Sequence, residues 1–206
     1  MNTEIATPRR HPEARPGQIL EAALEVLGEH GLAGARLEEI ARRAGISKGT
    51  IYLYFDSKDA VFRAVVKHTL LEEMDRIAGT KHTGTAEERV RSLIGEFWAF
   101  VRTPEFQAVY RLVAGELHRF PELTRFYSRE VSGRVSNALA RNLQEGIDAG
   151  EFHEMDVRVT AQMPIALCIK QSVWCERRKL LGESGGKSDD EVLGEVLDFC
   201  LRAIRI

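Results

Sequence analysis

The sequence predicts an all-α protein, and three observations lead to this fold class. Apolar residues recur three, four and seven positions apart in nearly every segment of the 206-residue chain, which is the spacing of one buried helix face. No segment shows the sustained alternation of apolar and polar residues that marks a half-buried strand. No internal repeat of fixed period points to a solenoid. We therefore expect about nine helices and no sheet.

Four of these helices are expected in the first third of the chain. The first ends near Gly31 and a short second helix closes at Gly45, because glycine is a common residue just after a helix. Ser47 is a good N-cap for a very short third helix, and Ser57 for a fourth that runs to about residue 78.

Five longer helices are expected in the remainder. An apolar stripe that contains Phe97 marks one, and Thr103-Pro104 begins the next. Pro121 opens a long helix that Gly150 ends, Asp156 begins the eighth, and an apolar stripe near the carboxyl terminus marks the last. The change from short to long helices predicts an N-terminal domain over 14–60 and a larger helical body over 61–206, with residues 1–13 as a flexible arm.

The composition excludes several classes of protein. A total of 29 Lys and Arg against 31 Asp and Glu, a net charge of −2, excludes a bulk polycation that coats nucleic acid. No apolar run approaches the roughly 20 residues of a membrane span, and no secretory signal begins the chain, so we expect a cytoplasmic protein without a membrane partner. The 3 cysteines are too few for a disulfide framework, and no spacing suits a metal or a cofactor.

Residues 37–55 carry the most informative pattern. A two-turn helix ends at Gly45, an apolar Ile46 fills the turn, and Ser47 caps the next helix. Ile51 and Phe55 lie four positions apart and point inward. This is the arrangement of a helix-turn-helix, in which the second helix presents one face to the major groove of DNA.

The residues left on the outside suit double-stranded DNA. Lysine, arginine, hydroxyl and tyrosine side chains reach phosphates and base edges, and a glycine lets the backbone approach closely. The candidate DNA-binding residues are Arg36, Ser47, Lys48, Gly49, Thr50, Tyr52, Leu53, Tyr54 and Lys58. Two alternatives stay open: Tyr52 as a half-buried packing residue, and Lys58 as the partner of acidic neighbours.

The same residues resemble the TetR family of bacterial transcriptional regulators. The matching positions are Ile19-Leu20-Glu21-Ala22-Ala23, Gly31, Ile40-Ala41, the run Ala44 to Phe55, Ser57-Lys58-Asp59 and Val61-Phe62. The resemblance implies three N-terminal helices for DNA, a fourth linking helix, and a body that binds a small molecule and forms a homodimer. One position departs from the family pattern: Arg36 stands where a Thr or Ser usually caps the second helix.

The resemblance also implies a ligand pocket and a dimer face in the body. The candidate ligand-binding residues are Phe97, Trp98, Val101, Tyr110, His118, Met163 and Gln171, and they suit a largely apolar ligand of unknown identity. The eighth helix is apolar on every side around residues 163–169, so it must be covered on every side. With the last helix, it resembles the two-helix dimer face of the family.

The sequence therefore predicts a homodimeric repressor that a small, largely apolar ligand releases from a palindromic operator, with the linking helix over about 58–78 as the lever. A regulator controlled by a protein partner, or an activator, is the alternative. A helical small-molecule enzyme is a distant alternative, because no catalytic constellation or Gly-rich phosphate motif is present; we expect no enzyme and no catalytic residues.

Overall fold

The structure is a computed structural model that describes residues 15–182 and 186–206. The described residues form twelve α-helices: α1 (Arg15–Gly34, interrupted at Gly31), α2 (Leu37–Arg43), α3 (Lys48–Ile51), α4 (Lys58–Val66), α5 (Glu72–Gly79), α6 (Ala86–Val101), α7 (Pro104–Glu116), α8 (Pro121–Glu130), α9 (Arg134–Asp148), α10 (Val157–Thr160), α11 (Gln162–Leu180) and α12 (Asp189–Arg202). Across these ranges, one isolated antiparallel bridge, between Phe152 and Arg205, is the extent of extended pairing. The predicted all-α class is confirmed.

The chain divides into two compact units after Val65. The first holds α1 to α3 and most of α4, and the second holds the remaining helices. The predicted domains, 14–60 and 61–206, would place this division a few residues earlier, and the predicted arm over 1–13 lies outside the described residues.

The first unit has a small apolar core to which every helix contributes. Ile19 and Leu27 of α1, Ile40 of α2, Ile51 of α3 and Phe62 of α4 are all at most 1% exposed. A domain of this size buries few residues, so each of these side chains helps to fix the position of its helix.

The segment expected to act as a linking helix is helical throughout. Between α4 and α5, Lys67–Leu71 forms a π-helical turn, with Leu70 and Leu71 buried. Such π-turns inside α-helices are rare and are frequently found at functional sites.

The single helix expected from Pro121 to Gly150 is two helices. Gly133 has a φ of 98°, in the left-handed region that a residue with a Cβ rarely adopts, and residues 131–133 form a turn between α8 and α9. The sequence pattern missed this break because the apolar spacing continues across it. The break matters because the turn borders a cavity, as described below.

Pro164 lies in the first turn of α11, where its missing N–H costs nothing. It therefore marks the effective start of that helix. In the ranges that the structure describes, no helix is long and apolar enough to cross a membrane.

Candidate nucleic-acid interface and ligand cavity

Helix α3 is short, and three local features hold it in place. Gly45 takes a φ of 66° in the turn that precedes it, a conformation that favours glycine. The Ser47 hydroxyl accepts a hydrogen bond of 3.0 Å from the Thr50 N–H and lies 2.7 Å from the Thr50 hydroxyl. Ile51 is completely buried. The predicted helix-turn-helix geometry, including the Ser47 cap, is confirmed.

The opposite side of α3 and the turn after it are open to solvent. The side chain of Lys48 is 69% exposed, and Tyr52, Leu53 and Tyr54 are 46%, 84% and 42% exposed. A Cβ added at Gly49 would meet its nearest neighbour, the Ser47 hydroxyl oxygen, at 3.9 Å. Internal packing therefore leaves room for a side chain at this position. The absence of one leaves the backbone of α3 accessible on its exposed face.

An acidic residue on α2 holds two of these exposed side chains. The Glu38 Oε1 atom lies 2.9 Å from Lys48 Nζ and accepts a hydrogen bond of 3.0 Å from the Tyr52 hydroxyl. These hydrogen bonds, that of Lys48 above all, lower the pKa of Glu38 to about 2. The same carboxylate raises the pKa of Lys48 and of Tyr52. All three side chains therefore keep their usual charge at neutral pH.

The other basic residues of this unit have different surroundings. Arg42 pairs with Glu39 at 2.6 Å and Arg43 with Glu29 at 2.6 Å, so both arginines belong to an ion-pair network on α1 and α2. That network lowers the pKa of Glu39 to about 2, chiefly through the hydrogen bond from Arg42.

Lys58 and Arg36 lie at helix ends. The Lys58 ammonium group donates a hydrogen bond of 2.9 Å to the carbonyl of Ala33, near the carboxyl end of α1, where a positive charge is favourable. Arg36 precedes α2 and makes no side-chain cap hydrogen bond. The loss of the hydroxyl cap, expected from the sequence at this position, is confirmed.

The second unit contains a cavity of about 610 Å³, within the usual range for small-molecule sites. Aromatic and aliphatic side chains of α5 to α9 and α11 form most of its wall, and a few hydroxyl and amide groups interrupt them. The lining residues are Met74, Phe97, Tyr110, Val113, Tyr127, Val131, Ser132, Gly133, Val135, Ser136, Gln162, Ile165, Ala166 and Ile169.

Two of the seven predicted ligand-binding residues, Phe97 and Tyr110, line this cavity. Gln171 lines a separate groove between α11 and α12. The other four lie elsewhere: Trp98 and Val101 are buried in the core, His118 is exposed in a 3₁₀ turn, and Met163 is 55% exposed.

Gln162, a polar residue that interrupts an apolar helix stripe and so also fits the pattern of a ligand contact, lies in the wall as well. Most of the remaining lining residues could not be identified from the sequence, because they come from several helices and a turn. Apolar spacing places Val113 and Ile165 on inward helix faces, but it does not distinguish a cavity wall from packed core. The structure, not the sequence, singles out Tyr127 among them, because burial raises the pKa of its hydroxyl to about 12. A tyrosine that stays protonated in an apolar wall is a hydrogen-bond donor available to a ligand.

An apolar surface runs along α11 and α12. Met163, Trp174 and Phe199 are 55%, 48% and 67% exposed. The groove between the two helices has a volume of about 440 Å³, and its lining combines apolar and polar residues, Leu167, Gln171, Trp174, Val192, Val196 and Phe199, with the charged residues Arg178, Lys187 and Glu195. Large exposed apolar residues that cluster on one face mark an interaction surface. Among the described residues, no group of three or more His, Cys, Asp or Glu is arranged to hold a metal ion.

Two family profiles match the chain. Residues 19–65 match the family described as bacterial regulatory proteins, tetR family. Residues 88–204 match the family described as AefR-like transcriptional repressor, C-terminal domain.

The chain is also similar to regulators of known sequence or structure. The fatty acid metabolism regulator protein of Bacillus subtilis (strain 168) is 31% identical over 148 residues, which cover 71% of this chain and 75% of that protein. The crystal structure of the transcriptional regulator FadR from Bacillus subtilis, in complex with stearoyl-CoA, is 26% identical with a TM-score of 0.71, covering 92% of this chain and 99% of that chain. The fatty acid degradation regulator FadR from Bacillus halodurans shares the fold, at 23% identity and a TM-score of 0.72, over 94% of this chain and 97% of that one. All three are named as regulators.

Substitutions at Ser47 and Lys48 should separate the stability of α3 from its contact with DNA. Ser47→Ala removes the N-cap and should lower the free energy of unfolding by about 1 kcal/mol. Lys48→Ala should leave that free energy unchanged, weaken binding to the operator duplex, and reduce the slope of log affinity against log salt on that duplex by about 1. Urea denaturation and fluorescence anisotropy over a salt series measure the two effects.

Lys81→Ala removes the same charge from an exposed position in the second unit and serves as the control. If Lys48→Ala bound operator DNA as tightly as Lys81→Ala, with the same salt slope, the exposed face of α3 would not be the DNA-binding surface.

Proposed function

Because the chain belongs to the TetR family of bacterial regulatory proteins and is a DNA-binding transcriptional regulator, we propose that it is a homodimeric repressor which an acyl-chain ligand releases from a palindromic operator. The observation that carries the proposal is the coexistence of two sites in one chain. In the first unit, a helix-turn-helix whose second helix is capped and anchored in the core exposes a lysine and tyrosines to solvent. In the second unit there is a largely apolar cavity.

On this proposal, α3 enters the major groove and its exposed face contacts the operator. Lys48, Thr50 and Tyr52 reach phosphates and base edges, while Gly49 allows close approach of the backbone. Arg36 and Lys58 contact phosphates at the flanks, Ser47 orients the helix, and Leu53 and Tyr54 pack against the sugar-phosphate edge or thymine methyl groups. Contacts from Arg36 would be sensitive to salt, since each phosphate contact releases a cation.

The apolar surface of α11 and α12 is where we propose that a second copy binds. Its exposed residues, Trp174 and Phe199 among them, gain burial in an interface that a two-fold axis makes self-complementary. Two copies of α3 in one dimer would read half-sites one helical turn apart, about 34–36 Å. A palindromic operator follows from that symmetry.

The cavity supports a ligand with a long apolar part. Its walls are mostly aliphatic and aromatic, and Tyr110, Tyr127 and Gln162 offer hydrogen bonds at a few points. The related FadR of Bacillus subtilis was crystallised with stearoyl-CoA, so we propose a long-chain acyl-CoA for this chain as well. A built cavity favours control by a small molecule over control by a protein partner.

Release requires that the ligand bind better to a conformation that does not fit the operator. A coupling free energy of about 1–3 kcal/mol would lower operator affinity by about 5–150-fold. The helical segment 58–79, with its π-helical turn over Lys67–Leu71, is the proposed lever, because it contributes residues to both units of the chain.

Selection of bound duplexes from random sequence, followed by footprinting, tests the DNA part of the proposal. We expect a palindrome whose half-site centres lie one helical turn apart, with protection on both half-sites and an affinity that falls steeply with salt. Enrichment of a single asymmetric half-site would contradict the proposed dimer, and no enrichment over non-specific DNA would contradict the proposed operator.

A space-filling substitution tests the ligand part. Val113 lines the cavity, whereas Ala114, the next residue of α7, is exposed and lies outside it. Val113→Phe should abolish binding of stearoyl-CoA measured by calorimetry, because the larger side chain occupies the space of the acyl chain, and should leave DNA binding intact.

Ala114→Phe is the matched control and should bind stearoyl-CoA like the unsubstituted chain. Equal ligand affinity in the two variants would place the ligand elsewhere. Failure of the unsubstituted chain to bind acyl-CoA thioesters of any length would contradict the ligand class.

A further inference from the structure

We propose that Glu38 is an internal phosphate surrogate: its carboxylate occupies the position at which Lys48 and Tyr52 would hold a DNA phosphate, and it thereby restrains the affinity of the chain for every duplex. The inference rests on the proposed function, since it assumes that the exposed face of α3 meets DNA. It adds a residue of α2, outside the predicted contact set, that sets the strength of that contact.

Lys48 and Tyr52 together form an anion-binding site that the Glu38 carboxylate of the same chain occupies. One oxygen atom, Glu38 Oε1, takes both the contact of 2.9 Å from Lys48 Nζ and the hydrogen bond of 3.0 Å from the Tyr52 hydroxyl. An ammonium group and a hydroxyl that converge on a single anionic oxygen are the donors that a phosphate oxygen receives in protein–DNA complexes.

The Glu38 carboxylate and a DNA phosphate would compete for the same two donors, Lys48 and Tyr52. Glu38 is exposed and its side chain extends from the first turn of α2 to the exposed face of α3. A phosphate that binds Lys48 and Tyr52 must displace this carboxylate and then lies close to its negative charge. Non-specific contact is therefore weakened, and base contacts in the operator must offset the loss.

The neighbouring carboxylates do not share this role. Glu39, the next residue, is held by Arg42 at 2.6 Å, and Glu29 is held by Arg43 at 2.6 Å. Neither pair includes a predicted DNA-binding side chain. Glu38 differs because both of its side-chain partners, Lys48 and Tyr52, belong to the exposed face of α3.

Charge on Glu38 persists throughout the physiological range. In the free chain its pKa is lowered to about 2 by the donated hydrogen bonds, so the carboxylate that a phosphate must displace is ionised between about pH 5 and pH 9. The restraint is therefore constant, and the effect of removing it should be the same at pH 6 and pH 8.

The test compares Glu38→Gln with the unsubstituted chain on a non-specific duplex, by anisotropy from 50 to 200 mM salt. Glutamine keeps the size of the side chain and removes the charge. Because Lys48 is then free for one phosphate, log affinity should fall more steeply with log salt by about 0.9. Glu38→Gln should bind more tightly at 50 mM salt, and its advantage should shrink by about 3.5-fold by 200 mM.

Two further variants make the result specific. Glu21→Gln removes an exposed carboxylate from α1 of the same unit and reports the effect of net charge alone. Glu38→Gln in a Lys48→Ala background should lose the added salt slope, because the freed lysine is absent. Circular dichroism confirms that each variant is folded.

Each outcome decides the matter. A steeper slope for Glu38→Gln that Glu21→Gln lacks and Lys48→Ala abolishes would support the inference. Equal behaviour of Glu38→Gln and Glu21→Gln would overturn it, and so would weaker binding, which would make Glu38 a direct acceptor for a base amine. If the unsubstituted chain bound no duplex at 50 mM salt, the proposed function would fall, and this inference with it.

Discussion

The burial of Ile51 is the constraint on which the proposed DNA-binding surface depends. Helix α3 has only 4 residues, far below the length at which a helix is stable by itself. Its position is fixed from below by the fully buried Ile51 and at its start by the Ser47 cap. With Ile51 facing the core, the side chains of Lys48 and Tyr52 face solvent. The exposed face is therefore a consequence of core packing.

A second constraint shapes the body. Gly133 adopts a left-handed conformation that divides α8 from α9, and the turn it creates lines the cavity together with Tyr110 and Tyr127. A continuous helix over the same residues would replace this turn with a closed helical wall. The proposed ligand site and the proposed DNA-binding surface thus each follow from one short break in helical structure, the first at Gly133 and the second at Gly45.

The sequence predicted the features whose causes are local. Gly45, Ser47 and Ile51 lie within seven residues, and each has a stereochemical role that can be read from its identity. The cavity could not be predicted in this way, because residues as distant as Met74 and Ile169 line it. The pairing of Glu38 with Lys48 was equally hidden, since it depends on the angle between two helices rather than on spacing within one.

If occupation of the cavity and binding of DNA are coupled, as proposed, the effect is reciprocal, and a pair of calorimetric titrations measures it. Stearoyl-CoA is titrated into the free chain and into its complex with the selected operator. Linkage requires that operator weaken the binding of stearoyl-CoA by the same factor by which stearoyl-CoA weakens the binding of operator. The expected factor is about 5–150 in both directions. Equal ligand affinity with and without operator would contradict it.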